Sequence, residues 1–311
     1  MEIVKRYLLI FFKGMGMGAA DIVPGVSGGS IALITGIYQR LLDSITSING
    51  DTLRLLLKGR FVDFYKGVNG TFLLALLLGI MTSIFLLSDL ITYLMDEEPI
   101  ALWSFFSGLI LISAFMILKD ISRWHLGVVF AIIVGIVSAY FVTELPPISS
   151  PDSLWFTFVA GAIAICAMIL PGISGSFLLL ILGKYESILT ALSERDFFTL
   201  AIFASGCLVG ILSFSRLISW LLKKYYATTI GLLSGFMLGS LNKLWPWKLV
   251  TAYRTSSSGE EKPFLTENLS PGSYQEMLGE DPQLWIAIGA FAFGILLVFS
   301  IDRLAAYFSK K

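Results

Sequence analysis

Two short clusters of proline, glycine and serine interrupt apolar stretches of the chain, and their residue types suit anion binding. The sequence DIVPGVSGGS covers residues 21–30, and MILPGISGSF covers residues 168–177. Glycine lets the backbone approach a ligand and leaves its N–H groups bare for it. Serine supplies a hydroxyl that can cap a helix or donate to an anion, and proline presets φ for the start of a helix. Because a helix N-terminus carries about half a positive charge, each cluster could bind a phosphate or another anion.

Most of the predicted binding residues lie in these two clusters, the first of which begins with an acidic residue. Two basic residues farther along the chain complete the set. The full set is Asp21, Pro24, Gly25, Ser27, Gly28, Gly29, Ser30, Pro171, Gly172, Ser174, Gly175, Ser176, Lys184 and Arg216. Lys184 could meet a headgroup or pair with a neighbour. Arg216 could meet a phosphate on the cytoplasmic side or extend its charge to the interface. The alternative for both clusters is that they only permit a kink or close helix packing, but two aligned copies favour binding.

Two acidic residues are candidates for binding a coupling ion. Asp21 aligns with Met168 and therefore has no equivalent in the second cluster. A carboxylate inside the membrane is a functional candidate, and an ionised Asp21 would repel a phosphate. We therefore expect it to be protonated or to bind a coupling proton or sodium ion, while the alternative is a capping or ion-pairing role. Asp89, which aligns with Arg216, is the second candidate.

The two clusters are parts of a longer repeat. Aligning Pro24 with Pro171 gives a constant offset of 147, and eleven of the 26 positions in residues 20–45 are then identical. The helices that follow match at an offset of 127, where Gly79 pairs with Gly206. The duplication covers most of the chain. The two offsets differ by 20, so the halves differ in length by 20 residues between these regions.

The composition places these clusters in a membrane protein. Of the 311 residues, 56% are apolar and only 14% are charged, and the mean hydropathy is +0.82. A soluble domain has about 25% charged residues. Six apolar stretches have the length of about 20 residues that crosses a bilayer. They cover roughly 71–95, 99–118, 125–143, 197–222, 226–245 and 284–301.

The charge distribution predicts the orientation, because cytoplasmic loops collect lysine and arginine. Both chain ends and the 40–70 loop are basic and are predicted to be cytoplasmic, while the acidic 144–153 and 246–283 loops are predicted outside. Each cluster then forms the tip of a re-entrant hairpin, at 3–47 and 153–193, and an alternative is that the hairpin arms span fully.

The predicted fold is an all-α polytopic membrane protein with two inverted-topology repeats, residues 1–145 and 146–311, in a single membrane domain. Each repeat has a re-entrant helical hairpin plus three transmembrane helices, and three is an odd number, so the second repeat is inverted. Broken helices at matching positions of inverted halves indicate a transport site near the bilayer midplane.

Other functions fit the residues less well. The strings GVSG and GISG resemble the nucleophile turn of rhomboid intramembrane proteases, but a serine nucleophile needs a base, and the single histidine, His125, is predicted at an interface. An ion-coupled small-anion transporter or channel stays an alternative. Cys166 and Cys207 indicate neither a disulfide framework nor a metal site, and the net charge of zero gives no case for nucleic acid. We predict no enzyme activity and no cofactor, and leave the oligomeric state open.

The stretches MGAADIVPGVSGGSIALITGIYQRLLDSI and AMILPGISGSFLLLILGKYESILTAL are similar to the paired signatures of the prokaryotic polyprenyl-phosphate transporters. The resemblance spans nearly the whole chain. The positions that match the family motif are Asp21, Pro24, Gly25, Ser27, Gly28 and Gly29 in the first signature and Pro171, Gly172, Ser174 and Gly175 in the second.

This resemblance implies a flippase in the cytoplasmic membrane of a bacterium or archaeon. It would return undecaprenyl phosphate from the outer to the cytoplasmic leaflet for re-use in cell-wall (peptidoglycan) and surface-glycan synthesis. We expect the phosphate to bind between the two tips, with the polyprenyl tail left in the lipid, while the halves rock to expose the headgroup to either side.

Overall fold

Helices form most of the chain, as its long apolar stretches predict. A computed structural model describes residues 2–23, 25–148, 150–151, 153–255 and 261–309. The helices in these residues are α1 Glu2–Ile22, α2 Gly28–Ile34, α3 Tyr38–Thr46, α4 Gly50–Leu57, α5 Phe61–Gly67, α6 Gly70–Glu97, α7 Pro99–Lys119, α8 Leu126–Glu144, α9 Leu154–Ile169, α10 Gly175–Ile181, α11 Tyr185–Ser193, α12 Phe197–Lys224, α13 Tyr226–Ser240, α14 Pro271–Leu278 and α15 Leu284–Ser309. Two strands, β1 Lys248–Thr255 and β2 Glu261–Asn268, pair as an antiparallel hairpin.

Four helices in the described part of the chain are long and apolar enough to cross a bilayer, namely α6, α7, α8 and α12. The predicted crossing at 226–245 is instead α13, of 15 residues, followed by a 3-10 turn at Leu241–Leu244. Helix α15 has a shorter apolar stretch, Leu284–Ser300. Each of the six predicted crossings therefore corresponds to a helix, and four of these helices are long and apolar enough to cross a bilayer within the described residues.

The returning arm of each predicted hairpin is broken into two short helices. Helices α2 and α10 are each followed, two residues after their last residue, by a glycine with positive φ: Gly36 with φ of 71° and Gly183 with φ of 64°. In both turns the N–H of the next residue donates to the carbonyl five residues earlier, as Ile37 does to Ala32, and this glycine-terminated pattern is a common end of helices. The bend between α10 and α11 is 106°, so the arm does not return as one straight helix.

The sequence repeat is visible in the helix boundaries. Helices α2 and α3 begin and end 147 residues before α10 and α11, and α6 begins and ends 127 residues before α12. Helices α4 and α5 lie between α3 and α6, where the first half is 20 residues longer than the second, and this accounts for the change of offset. The packing repeats as well, because Gly79 of α6 lies against the backbone of Phe11 and Gly206 of α12 lies against that of Phe158.

The two halves also exchange helices. Gly235 of α13 packs on the carbonyl oxygen of Ile132 in α8, and the equivalent Gly108 of α7 packs on that of Phe291 in α15. The second helix of each half therefore contacts the third helix of the other. The hydrophobic core runs through these contacts and includes the buried residues Val23 and Val26 beside the first cluster.

The segment between α13 and α15, predicted as an acidic outer loop, has ordered secondary structure. It contains the β1–β2 hairpin and α14, which is a small departure from an all-α chain. Trp247 and Tyr274 are buried together here, and the indole N–H of Trp247 donates to the carbonyl of Pro282 at 2.8 Å. They pack with Ile100 of α7 and Ala287 of α15, so the segment is fixed on the ends of those two helices.

Candidate functional site

The two proline-glycine-serine clusters lie directly against each other. The hydroxyl of Ser27 donates to the carbonyl of Met168 at 2.9 Å, and the hydroxyl oxygen of Ser30 accepts from the N–H of Gly172 at 2.9 Å. A Cβ on Gly29 would lie 2.6 Å from the carbonyl oxygen of Ile169, so only glycine fits at this contact. The sequence prediction that the tips could meet therefore has a direct geometric counterpart.

Matched turns bring the clusters to this contact. Gly25 has φ of 88° and Gly172 has φ of 89°, a region that glycine enters without steric cost. Pro24 lies outside the described residues, while Pro171 is buried. The turns are therefore alike where both can be compared.

The two short helices that follow the turns are capped differently. The hydroxyl oxygen of Ser27 accepts from the N–H of Gly29 at 3.1 Å and caps α2. Ser174 makes no such cap on α10. Its hydroxyl instead lies 2.9 Å from that of Ser176. Ser174 therefore does not bond to the backbone at the start of its helix, whereas Ser27 does.

Asp21 caps the same helix from the other side. Its Oδ1 accepts from the N–H of Gly28 at 2.7 Å, and a Cβ on Gly28 would lie 2.6 Å from Oδ2. This is the capping role that the sequence left as the alternative to ion binding. The same half-buried carboxylate keeps its second oxygen beside the cluster, where it could also take a proton or a cation.

The N–H groups of the clusters are not bare in this conformation, unlike the exposed donors that the glycine content suggested. Those of Gly28, Gly29 and Gly172 donate to Asp21, Ser27 and Ser30 respectively. The residues from Gly25 to Ser30 are buried, and a buried N–H must have an acceptor. An anion can use these donors only after they leave their present acceptors. Of the three bonds, the one from Gly172 to Ser30 joins the two clusters, while those of Gly28 and Gly29 lie within the first hairpin.

Two lysines beside the first cluster were not singled out from the sequence. The Cγ atom of Lys243 would lie 3.0 Å from a Cβ on Gly25, and its ammonium lies 4.7 Å from the ring centre of Phe177. The ammonium of Lys248 donates to the carbonyl of Lys243 at 2.7 Å and lies 4.1 Å from the ring centre of Trp103. The only sequence signal is the lysine pair around LWPW, whose tryptophans are typical of interface anchors.

Arg216 lies elsewhere, at a surface cavity of about 460 Å³ formed mainly by α12. Its guanidinium donates to the carbonyl of Ile48 at 3.1 Å. Nearby, Asp43 of α3 accepts from the ammonium of Lys223 at 2.7 Å and from the hydroxyl of Ser219 at 3.1 Å. These contacts tie α3 to α12, and the cavity carries the positive charge of Arg216, Lys223 and Lys224.

The remaining predicted residues do not join the contact between the clusters. Lys184 is buried at the start of α11, with its ammonium 5.9 Å from the ring centre of Phe156. Asp89 is exposed on α6. His125 is exposed at the start of α8, whereas Ser27 and Ser174 are buried, so the arrangement offers those serines no histidine base.

The chain is similar to known proteins over most of its length. A family model described as undecaprenyl phosphate translocase-like matches residues 17–262. A polyprenyl-phosphate transporter of Vibrio cholerae is 44% identical over 300 residues, which are 96% of this chain and 97% of that protein. A polyprenyl-phosphate transporter of Staphylococcus aureus is 34% identical over 254 residues, which are 75% of this chain and 84% of that protein. No solved structure matches.

Proposed function

We propose that this chain, which belongs to the undecaprenyl phosphate translocase-like family, returns undecaprenyl phosphate from the outer to the cytoplasmic leaflet of the plasma membrane. The family is one of transporters and not of enzymes, and the chain is a multi-pass membrane protein. The observation that carries the proposal is identity of 44% across nearly the full length of a polyprenyl-phosphate transporter. Return to the cytoplasmic leaflet would supply the carrier for further cell-wall and surface-glycan synthesis.

The proposed architecture is a pair of inverted repeats with both chain ends in the cytoplasm. Three observations support it: the constant offsets between matching helices, the exchange of helix contacts between the halves, and the excess of lysine and arginine at the chain ends and in the 40–70 loop. With an odd number of crossings in each half, the clusters would enter from opposite faces of the membrane.

In the proposed mechanism, the contact between the clusters separates when the headgroup binds. The N–H groups of Gly28, Gly29 and Gly172 then exchange their protein acceptors for phosphate oxygens, and the hydroxyls of Ser174 and Ser176 donate to the same group. The polyprenyl tail stays in the lipid. Rocking of the two halves exposes the headgroup to the inner side, where Arg216 provides a positive charge, and a proton or sodium ion at Asp21 gives the direction.

The test uses the purified full chain in liposomes that contain undecaprenyl phosphate. The assay measures how fast phosphate headgroups leave the leaflet in which they start, with and without a proton or sodium gradient. We expect movement that requires the protein, that short-chain polyprenyl phosphates compete with, and that chloride does not affect. Inhibition by chloride alone would favour a small-anion transporter, and equal rates with and without protein would refute transport of this lipid.

A further inference from the structure

We propose that Lys243, with Lys248 behind it, binds the lipid phosphate at the outer side of the first cluster, as the first protein group that the headgroup contacts. The inference rests on the proposed function, because it names a residue that receives the substrate of that transport. Neither lysine belongs to the repeated signatures, and neither aligns with another lysine at the 147 or 127 offset.

The position of Lys243 is fixed by its surroundings. The 3-10 turn that carries it is held to α7 by the hydroxyl of Ser107, which donates to the carbonyl of Leu244 at 2.9 Å. The stem of Lys243 crosses Gly25 so closely that an added Cβ there would lie 3.0 Å from the lysine Cγ, and its ammonium reaches the face of Phe177 in α10. One side chain therefore touches both hairpins where they meet.

The ammonium of Lys243 lacks an anionic partner within the described residues. Their ion pairs link other residues, and their hydrogen bonds give this Nζ no acceptor. An aromatic face stabilises a cation only modestly, and an unpaired charge in a half-buried site is costly. The acidic side chain whose charge acts on Lys243 is Glu144, which accepts a hydrogen bond from Asn242 at 2.5 Å.

Lys248 makes the site more positive. Its ammonium donates to the carbonyl of Lys243 and stacks on Trp103, so it is itself without a carboxylate in the described part of the chain. Two lysines against one engaged carboxylate leave a net positive charge. A phosphate monoester, which has up to two negative charges and several acceptor oxygens, matches this arrangement better than a single carboxylate or chloride does.

The experiment measures binding of undecaprenyl phosphate to the purified full chain in nanodiscs, with undecaprenol and inorganic phosphate as separate probes. Lys243→Met keeps the stem against Gly25 but removes the charge, Lys243→Arg keeps the charge, and Lys119→Met, at an exposed position on α7, is the matched control. Because a hydrogen bond to a charged group contributes about a tenfold effect or more, we expect at least that loss in Lys243→Met and little change in Lys243→Arg and Lys119→Met.

A smaller loss is expected for Lys248→Met, which leaves the contact with Gly25 unaltered and so tests the site if Lys243→Met fails to fold. Equal affinity of wild type, Lys243→Met and Lys248→Met for undecaprenyl phosphate overturns the inference while transport by the wild type still stands. Lack of binding and transport in the wild type refutes the proposed function instead. Affinity for inorganic phosphate equal to that for the lipid would assign the site to free phosphate.

Discussion

At the scale of residues, one substitution separates the capping contact that Asp21 makes from the ion-coupling role proposed for it. Asp21→Asn keeps an oxygen that can accept from the N–H of Gly28 but removes the negative charge, whereas Asp21→Ala removes both. We expect Asp21→Asn to fold normally and to lose the dependence of transport on a proton or sodium gradient. The measurement is the flipping rate at several pH values. Unchanged rate and unchanged pH dependence in Asp21→Asn would leave Asp21 with the capping role alone.

Lys248 gives a prediction about pH and stability. Burial, and secondarily the charge of Lys243, lowers the pKa of Lys248 from 10.5 to about 7. The unfolded chain therefore binds this proton more tightly, so the contribution of Lys248 to the free energy of unfolding is lowest below pH 7 and rises as the pH approaches 10.5. The affinity for phosphate is expected to fall as the pH rises, because the ammonium of Lys248 loses its charge.

The measurement is the melting temperature of wild type and Lys248→Met in detergent. We expect the variant to be the more stable protein at about pH 6 and its advantage to shrink towards about pH 10. Lys243 faces Lys248, and Glu144 acts on Lys243 in turn, so the titration of these two groups could add to that of Lys248. A constant difference across the range, like that expected of Lys119→Met, would contradict the lowered pKa.

Gly172 gives a prediction about backbone strain. An added Cβ would lie 2.7 Å from the carbonyl oxygen of Phe236, and the φ of 89° is unfavourable for any other residue. We expect Gly172→Ala to lower the free energy of unfolding by about 1–3 kcal/mol. The loss is larger if the added methyl group pushes the two clusters apart and breaks the hydrogen bonds between them. Gly289→Ala in α15 is the control, because no atom lies within 4 Å of its added Cβ. Equal melting temperatures of the two variants would show that the turn is not held as described.

At the scale of elements, the two short helices after the turns differ in their caps. Ser27 caps α2 and also bonds to Met168, while Ser174 makes no cap on α10. Replacing a capping serine with alanine costs about 1 kcal/mol. We therefore expect Ser27→Ala to destabilise the protein more than Ser174→Ala, although the double variant should bind phosphate lipid more weakly than either. Thermal melting and lipid binding measure the two effects separately, and equal losses of stability would contradict the difference in caps.

Many of the helices could be predicted from the sequence, because the repeat offsets locate equivalent helices in both halves. The breaks at Gly36 and Gly183 were not predicted, although a glycine shortly after an apolar run is a usual helix end. What the pattern could not provide is the partner of each donor. Bare N–H groups were expected in the clusters, but burial forces such groups to find acceptors. Gly28 donates to Asp21 of α1, and Gly29 donates to the serine that caps its own helix, Ser27.

Lys243 was missed for a related reason. The position equivalent to it at the 127 offset is Met116, so the repeat does not mark this lysine. Its importance depends on a turn that brings it from the end of α13 to Gly25 and Phe177. These residues are far apart in the chain, and no local periodicity links them.

At the scale of the whole molecule, the proposed inverted topology predicts the sides of two loops. Single cysteines at Asp51, in α4, and at Pro151, before α9, would be introduced into a chain whose Cys166 and Cys207 are replaced by alanine. We expect a membrane-impermeant thiol reagent added outside intact cells to label position 151 and not position 51. Labelling of both positions after permeabilisation is the control, and labelling of both from outside would rule out the proposed arrangement.

The hydrogen-bonded contact between Ser27, Ser30 and the backbone of the second cluster has a consequence for the permeability of the membrane. When no lipid is bound, the donors at the centre of the protein are satisfied and water is kept from them, so the resting protein is expected not to leak protons or chloride. A cell could then contain many idle copies without dissipating its ion gradients. Variants that loosen this seal, such as Ser30→Ala, should raise passive ion conductance before they change the rate of lipid movement.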